Sequence, residues 1–71
     1  MPSEVQAILF DKHMYTKTKA QNWVKKHGFH QIKPTHSTAH LHRIRLQNPN
    51  KFKRFRTKRI GDGIEFVMGF K

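Results

Sequence analysis

Residues 55–70 read FRTKRIGDGIEFVMGF, two alternating stretches that flank the triplet Gly61-Asp62-Gly63. An Asp-Gly pair between alternating stretches is a strong signal for a β-hairpin. A two-residue type I′ turn at Asp62-Gly63 would place Arg59 opposite Phe66. If all three residues of the triplet formed the loop, every pair along the hairpin would shift by one residue.

The register of this hairpin decides which side chains reach the core. The two-residue turn predicts that one set of side chains faces the helix: Phe55, Thr57, Ile64, Phe66, Met68 and Phe70. The three-residue loop would instead turn Arg54, Arg56 and Lys58 onto that face. Because three cations against a small core would be costly, we favour the two-residue turn and expect these cations to point away from the helix.

A helix is predicted upstream of the hairpin, beginning after Thr16 as N-cap. Side chains suited to a buried face recur at helical spacing: Ala20, Trp23, Val24 and His27. Gly28 is expected at the left-handed position that ends a helix, with Phe29 contacting Val24 in a Schellman motif.

Three other stretches have strand character. Residues 5–10 are mostly apolar and predict a central first strand, whereas residues 40–46 alternate and place Arg43 and Arg45 on one side. Residues 52–60 form the first arm of the hairpin. We therefore predict a single small basic domain over residues 1–71, an α+β two-layer sandwich in the order strand-helix-strand-strand-strand, with one helix packed on an antiparallel meander.

The charge distribution is uneven. Fifteen Lys and Arg face four acids, giving a net charge of +11, and the acids lie only at Glu4, Asp11, Asp62 and Glu65. Fourteen of the basic residues fall in the acid-free span between Lys12 and Arg59. Like charges at this density repel each other, so the pattern favours a partner that is a polyanion, DNA or RNA, with an acidic protein as the alternative.

Several classes of protein do not fit the composition. The chain has no cysteine, which excludes a disulfide framework and a cysteine-based zinc site and fits a reducing, intracellular compartment. No stretch is long and apolar enough to span a bilayer, and Met1-Pro2-Ser3-Glu4 does not resemble the start of a signal peptide. We expect no membrane partner.

Residues 51–59, KFKRFRTKR, carry six cations and two aromatic side chains. Cations suit phosphates and aromatic rings suit bases, so the segment fits a single strand or a nucleic-acid backbone of either kind. The alternative is a strand made basic only to discourage edge-to-edge aggregation. The predicted phosphate contacts are Arg43, Arg45, Lys53, Arg54, Arg56 and Lys58. Phe52 is predicted to stack on bases because it shares the outward side of Arg54, and Phe55 is predicted to lie in the core.

Lys17 and Lys19 form a secondary basic cluster in the first turn of the helix, where cations oppose the helix dipole. The histidines suggest a second chemistry, since His36, His40 and His42 would share one side of an extended strand. That side becomes apolar at Ile44, so we expect partly buried histidines and no metal or other cofactor. The few acids form no catalytic arrangement, and we expect no enzymatic activity.

Three segments together resemble a small domain in uncharacterised proteins of tailed phages and large DNA viruses: VQAILF (5–10), AQNWVKKHGF (20–29) and FRTKRIGDGI (55–64). In some of those proteins it lies beside a prohead-protease-type region. The resemblance implies a viral setting in the host cytoplasm or nucleus, or inside the virion. It implies a role in genome packaging or condensation, or alternatively in assembly by docking on an acidic capsid or scaffold protein.

Overall fold

The first strand lies in the middle of the sheet. In the computed structural model, which describes residues 3–71, β1 (Ser3–Asp11) pairs with β3 (Leu41–Arg45) on one side and with β5 (Ile64–Phe70) on the other. The two-residue β2 (His36–Ser37) lies outside β3, and β4 (Arg54–Gly61) lies outside β5. The strand order is β2-β3-β1-β5-β4 with antiparallel pairing throughout, which confirms the central first strand. Met1 and Pro2, part of the segment considered for a signal peptide, lie outside the described residues.

The helix, α1 (Lys17–Lys26), begins and ends as its sequence predicts. Thr16 Oγ1 accepts a hydrogen bond from the Lys19 amide at 3.1 Å, which satisfies one of the free donors of the first turn. Gly28 has a φ of 81°, the Gly28 amide donates to Lys25 O at 3.1 Å and the Phe29 amide donates to Val24 O at 3.0 Å. These two bonds form the predicted Schellman motif.

One core lies between α1 and the sheet, which confirms the α+β two-layer architecture. Its buried members come from three strands, the helix and the residue after β3: Ile8, Phe10, Ala20, Val24, Ile44, Leu46 and Ile64. Aromatic rings close its border, with the Trp23 ring centroid 5.7 Å from that of Phe10 and 6.2 Å from that of Phe66. We call this the helix side of the sheet, and the other the open side.

The pairing of β3 differs from a meander. β3 pairs with β1, so that Ile44 lies opposite Ile8, and both side chains are fully buried. A short 3-10 helix (Pro49–Lys51) then leads the chain to β4, on the far side of β5. β3 and β4 are therefore three strand spacings apart, about 14 Å, and their arginines do not form one continuous row.

The register of the β4–β5 hairpin is the one we disfavoured from the sequence. Gly61 pairs with Ile64 across Asp62-Gly63, but an irregularity at Ile60 shifts the pairing, so that Arg59 lies opposite Glu65. Gly63 has a φ of 74° while Asp62 has no positive φ, so the turn is not type I′. The shift brings Arg59 opposite Glu65, although the two side chains form no ion pair.

Because of this shift, three cations lie on the helix side of the sheet: Arg54 opposite Phe70, Arg56 opposite Met68 and Lys58 opposite Phe66. The expectation that they point away from the helix side is wrong. They do not enter the core, because a helix about 10 Å across covers only about two strands spaced about 4.8 Å apart. β4 lies beyond the helix, and all of its residues are exposed.

Candidate nucleic-acid interface

The strand β4 presents charge on both of its sides. Arg54, Arg56 and Lys58 project on the helix side at intervals of about 6.7 Å, while Arg59 projects on the open side. No acid occurs between residues 12 and 61, so all charged side chains of β4 and of residues 51–53 before it are cations. An interval of this size is comparable with the separation of neighbouring phosphates in an extended single strand.

The two phenylalanines of the basic segment exchange the roles predicted for them. Phe52 is buried, with 7% of its surface exposed, whereas Phe55 is 44% exposed. Phe52 packs over Gly69, where a Cβ atom would lie 2.6 Å from two carbons of its ring. Phe55, opposite Gly69 on the open side, meets the Phe52 ring edge-on at a centroid distance of 6.0 Å. Phe52 is therefore not available for stacking, and Phe55 is the aromatic ring that a base can reach.

The reason for this exchange lies in Gly69. A glycine inside a strand often marks the close approach of another group, and here that group is the Phe52 ring. This was the one signal in the sequence that could have identified Phe52 as buried. Arg59 is missing from the predicted phosphate contacts. It is exposed like the rest of β4, and the irregularity at Ile60 places it on the open side.

A groove of about 330 Å³ lies at the start of β4. It is lined by four cations and two aromatic rings: Lys53, Arg54, Phe55, Arg56, Phe70 and Lys71. The Lys53 amide donates to Phe70 O at 2.8 Å, which fixes the approach to β4 against the end of β5. Five of the residues predicted to contact nucleic acid thus lie on β4 or just before it. They are Lys53, Arg54, Arg56 and Lys58 as cations, and Phe52, which is buried over Gly69 on the open side.

Lys71 already has one partner. Within residues 3–71 the only ion pair joins Lys71 Nζ to Glu4 Oε2, at 2.9 Å. The hydrogen bond from Lys71, supported by one from Gln47 Nε2, lowers the pKa of the Glu4 carboxyl below its usual value. The cations of β4 form no such pair in the described part of the chain, so their counter-charges come from outside it.

Arg43 and Arg45 lie on the open side of β3, opposite Leu9 and Ala7 of β1, and this placement away from the helix confirms the prediction. Both are half-buried and lie three strands from β4. The structure therefore separates the predicted phosphate contacts into two groups. Lys17 and Lys19 form a third location, exposed in the first turn of α1, which contains no acid.

The histidines considered for a metal site do not form a cluster. His42 is buried on the helix side as predicted, with Nδ1 2.8 Å from Ser37 Oγ. His36 lies opposite Arg43 on the open side, so the shared side predicted for His36 and His42 is wrong. Among residues 3–71, no three His, Cys, Asp or Glu side chains come close enough together to hold a metal ion.

No helix of the described residues has the length and apolar character needed to cross a membrane. No protein-family model, curated protein or solved structure matches the chain. The viral resemblance and the nucleic-acid interface accordingly remain predictions.

Proposed function

We propose that this domain binds nucleic acid, DNA or RNA, along β4, contacting the sugar-phosphate backbone with little sequence specificity. The observation that carries the proposal is the exposure of all eight residues of β4, four of which are cations. Ordinary edge strands of small domains are short or partly covered, whereas this one is long and uncovered. In a viral setting, such binding would serve genome packaging or condensation.

The arrangement suits a single strand. Arg54, Arg56 and Lys58 can follow consecutive phosphates, and each arginine can donate two parallel hydrogen bonds to one phosphate. Phe55 projects on the other side of the same strand, where its ring can stack on a base. Since stacking requires only a ring face, and phosphates are the same in every sequence, the interface supplies affinity without sequence readout.

The test is the salt dependence of binding to a labelled oligonucleotide of about 20 nucleotides without a terminal phosphate, measured by fluorescence anisotropy. For a single strand, log K falls by about 0.7 per phosphate contacted for each unit of log salt concentration. Three to five contacts along β4 and its groove therefore predict a slope of roughly −2 to −3.5. The variant Arg54→Gln/Arg56→Gln/Lys58→Gln should reduce the slope by about 2 and lower the affinity at least tenfold.

A matched control removes the same charge elsewhere. Lys12→Gln/Lys17→Gln/Lys19→Gln changes three exposed lysines on and before α1, including the secondary cluster. If net charge alone governs binding, both triple variants weaken it equally. The proposal requires the β4 variant to be much the weaker binder, and it fails if the wild-type domain binds neither DNA nor RNA at about 50 mM salt.

A second candidate is assembly on an acidic capsid or scaffold protein. It is favoured by one observation, that the outer edge of β4 pairs with no other strand among residues 3–71. An acidic extended segment could add to this edge as a sixth strand, with main-chain hydrogen bonds and with its acids opposite the cations. A pull-down from infected cells, with and without nuclease, separates the two functions, because only a protein complex survives nuclease treatment.

A further inference from the structure

A second group of cations surrounds a groove at the opposite edge of the sheet. The groove has a volume of about 330 Å³ and is lined by Lys33, Pro34, His36, Arg43 and Arg45. None of these residues belongs to β4, and none is acidic. We propose that this groove is a phosphate-binding site, specific for a group that carries more than one negative charge, such as a phosphate monoester or pyrophosphate.

The wall of the groove is held in place by hydrogen bonds. The Ile32 amide donates to Arg45 O at 3.0 Å, which attaches the loop between α1 and β2 to β3. Thr35 Oγ1 accepts from Gln21 Nε2 and from Gln31 Nε2, both at 2.9 Å, which ties the same loop to the helix. Lys33 lies between these attachments, so the backbone that carries it is positioned before any ligand binds.

The floor of the groove is formed by strand residues. Arg43 and Arg45 project on the open side of β3, about 6.7 Å apart. His36 of β2 lies directly opposite Arg43, so their side chains are cross-strand neighbours on that side. Two guanidinium groups, one ammonium group and one imidazole ring therefore surround the same space.

The Nε atom of Arg43 lacks a hydrogen-bond acceptor within the described residues. This atom is buried, and neither Arg43 nor Arg45 forms an ion pair in that part of the chain. The acid in its cross-strand row is Glu65, two strand spacings away, about 10 Å, with Leu9 between them. An anion in the groove would supply the acceptor that no carboxylate of the described residues supplies to these two guanidinium groups.

The charge of the groove indicates which anion. Lys33, Arg43 and Arg45 supply three permanent positive charges, and His36 adds a ring nitrogen that can donate. A phosphodiester within a nucleic-acid chain carries a single negative charge, whereas a phosphate monoester carries about 1.5 to 2 at pH 7. A terminal phosphate or a pyrophosphate group therefore matches the groove better than an internal backbone phosphate.

The test is a titration of the ¹⁵N-labelled domain with pyrophosphate, followed by amide chemical shifts. The site predicts saturable shifts at Lys33, His36, Arg43 and Arg45, with small shifts on β4. Sodium chloride at equal ionic strength serves as the control for screening. Shifts spread evenly over all basic residues, or confined to β4, would overturn the proposal.

A matched pair of variants adds a second readout. Arg43→Gln and Arg59→Gln remove the same charge from the same cross-strand row, one in β3 and the other in β4. We expect Arg43→Gln to weaken pyrophosphate binding about tenfold or more, and Arg59→Gln less than about twofold. Equal effects would contradict a discrete site. If Arg43→Gln does not fold, Lys33→Gln, at an exposed loop position, replaces it with the same expected direction.

Two sources of the phosphate group can be distinguished. Oligonucleotides with and without a 5′-phosphate show whether the groove takes the end of a nucleic-acid chain. A preference for the phosphorylated end, lost in Arg43→Gln, identifies that source, while pyrophosphate binding without such a preference identifies a free phosphorylated molecule. Because the β4 interface is tested with unphosphorylated oligonucleotides, its failure would leave this site unaffected, and the converse also holds.

Discussion

Two short segments of this protein have the same pattern and opposite surroundings. Residues 43–45 read Arg-Ile-Arg and residues 54–56 read Arg-Phe-Arg. In β3 the central Ile44 is fully buried and its arginines lie half-buried on the open side. In β4 the central Phe55 is 44% exposed on the open side and its arginines lie on the helix side.

The difference shows that an alternating pattern determines an environment only where one side of the strand is covered. β3 lies beside the central strand and under the helix, so its apolar residue must face the core. β4 is an edge strand beyond the helix, so neither of its sides is constrained by burial. The arginines of β3 thus line a groove, whereas the arginines of β4 lie on an exposed edge strand.

The largest expected effect concerns the central residues of the two segments. Ile44→Ala should lower the free energy of unfolding by about 2–5 kcal/mol, because it leaves a cavity in a fully buried position. Phe55→Ala should cost only about 0.5–1.5 kcal/mol, mainly its edge-on contact with Phe52. Urea denaturation followed by far-UV circular dichroism measures both.

A domain of this size has a free energy of unfolding of roughly 3–5 kcal/mol, so the Ile44→Ala variant is expected to be largely unfolded. Ile44→Val, with an expected cost of about 0.5–1.5 kcal/mol, gives a folded variant for the same position. A larger loss for Phe55→Ala than for Ile44→Ala would show that β4 is covered in solution.

The next effect tests how β4 is held to the sheet. Gly69→Ala would bring a Cβ atom within 2.6 Å of the Phe52 ring and should destabilise the domain by about 1–3 kcal/mol. Gly61→Ala is the control, because no atom lies within 4 Å of the added Cβ and the change should stay within about 0.5 kcal/mol. Thermal unfolding compares the two, and equal melting temperatures would mean that Phe52 does not pack on Gly69.

A third prediction separates the two arginine pairs by ligand. Arg54→Gln/Arg56→Gln should weaken oligonucleotide binding about tenfold and leave pyrophosphate binding within about twofold of wild type. Arg43→Gln/Arg45→Gln should weaken pyrophosphate binding about tenfold. It should leave the binding of an oligonucleotide without a terminal phosphate within about twofold of wild type. Calorimetric titration of both variants with both ligands checks this. Parallel losses for both ligands would show one continuous basic surface instead of two sites.

The smallest effect concerns Glu4 and Lys71, which lie next to the start of β4. The pKa of the Glu4 carboxyl is lower in the folded than in the unfolded state, so ionised Glu4 stabilises the fold. This contribution is fully present above the ordinary glutamate pKa of about 4.3 and is lost as pH falls through the lowered pKa. The pair is exposed, so the effect is small and decreases with added salt. Urea midpoints measured from neutral to acidic pH should fall slightly less for Glu4→Gln than for wild type. An equal fall in both proteins would contradict a role for the pair.

The charge of the candidate interface can be predicted from the composition of the chain, but the arrangement of its side chains cannot. The acid-free span and the density of cations at residues 51–59 can be read directly from the chain. The choice between Phe52 and Phe55 depends on Gly69, seventeen residues beyond Phe52, and no local pattern contains that contact. The groove at Lys33, Arg43 and Arg45 likewise lies between a loop and a strand that are distant in sequence. The hydrogen bond from the Ile32 amide to Arg45 O holds the two together.

Four features can be predicted from the amino-acid sequence: the N-cap at Thr16, the Schellman end at Gly28, the central first strand and the turn around Asp62-Gly63. Each depends on interactions between residues close in the chain, or on an apolar run that can only be buried. The pairing of β3 with β1 and the register of β4 become apparent only in the folded chain. These depend on contacts between distant residues, and at an uncovered edge strand the alternation of side chains allows either register.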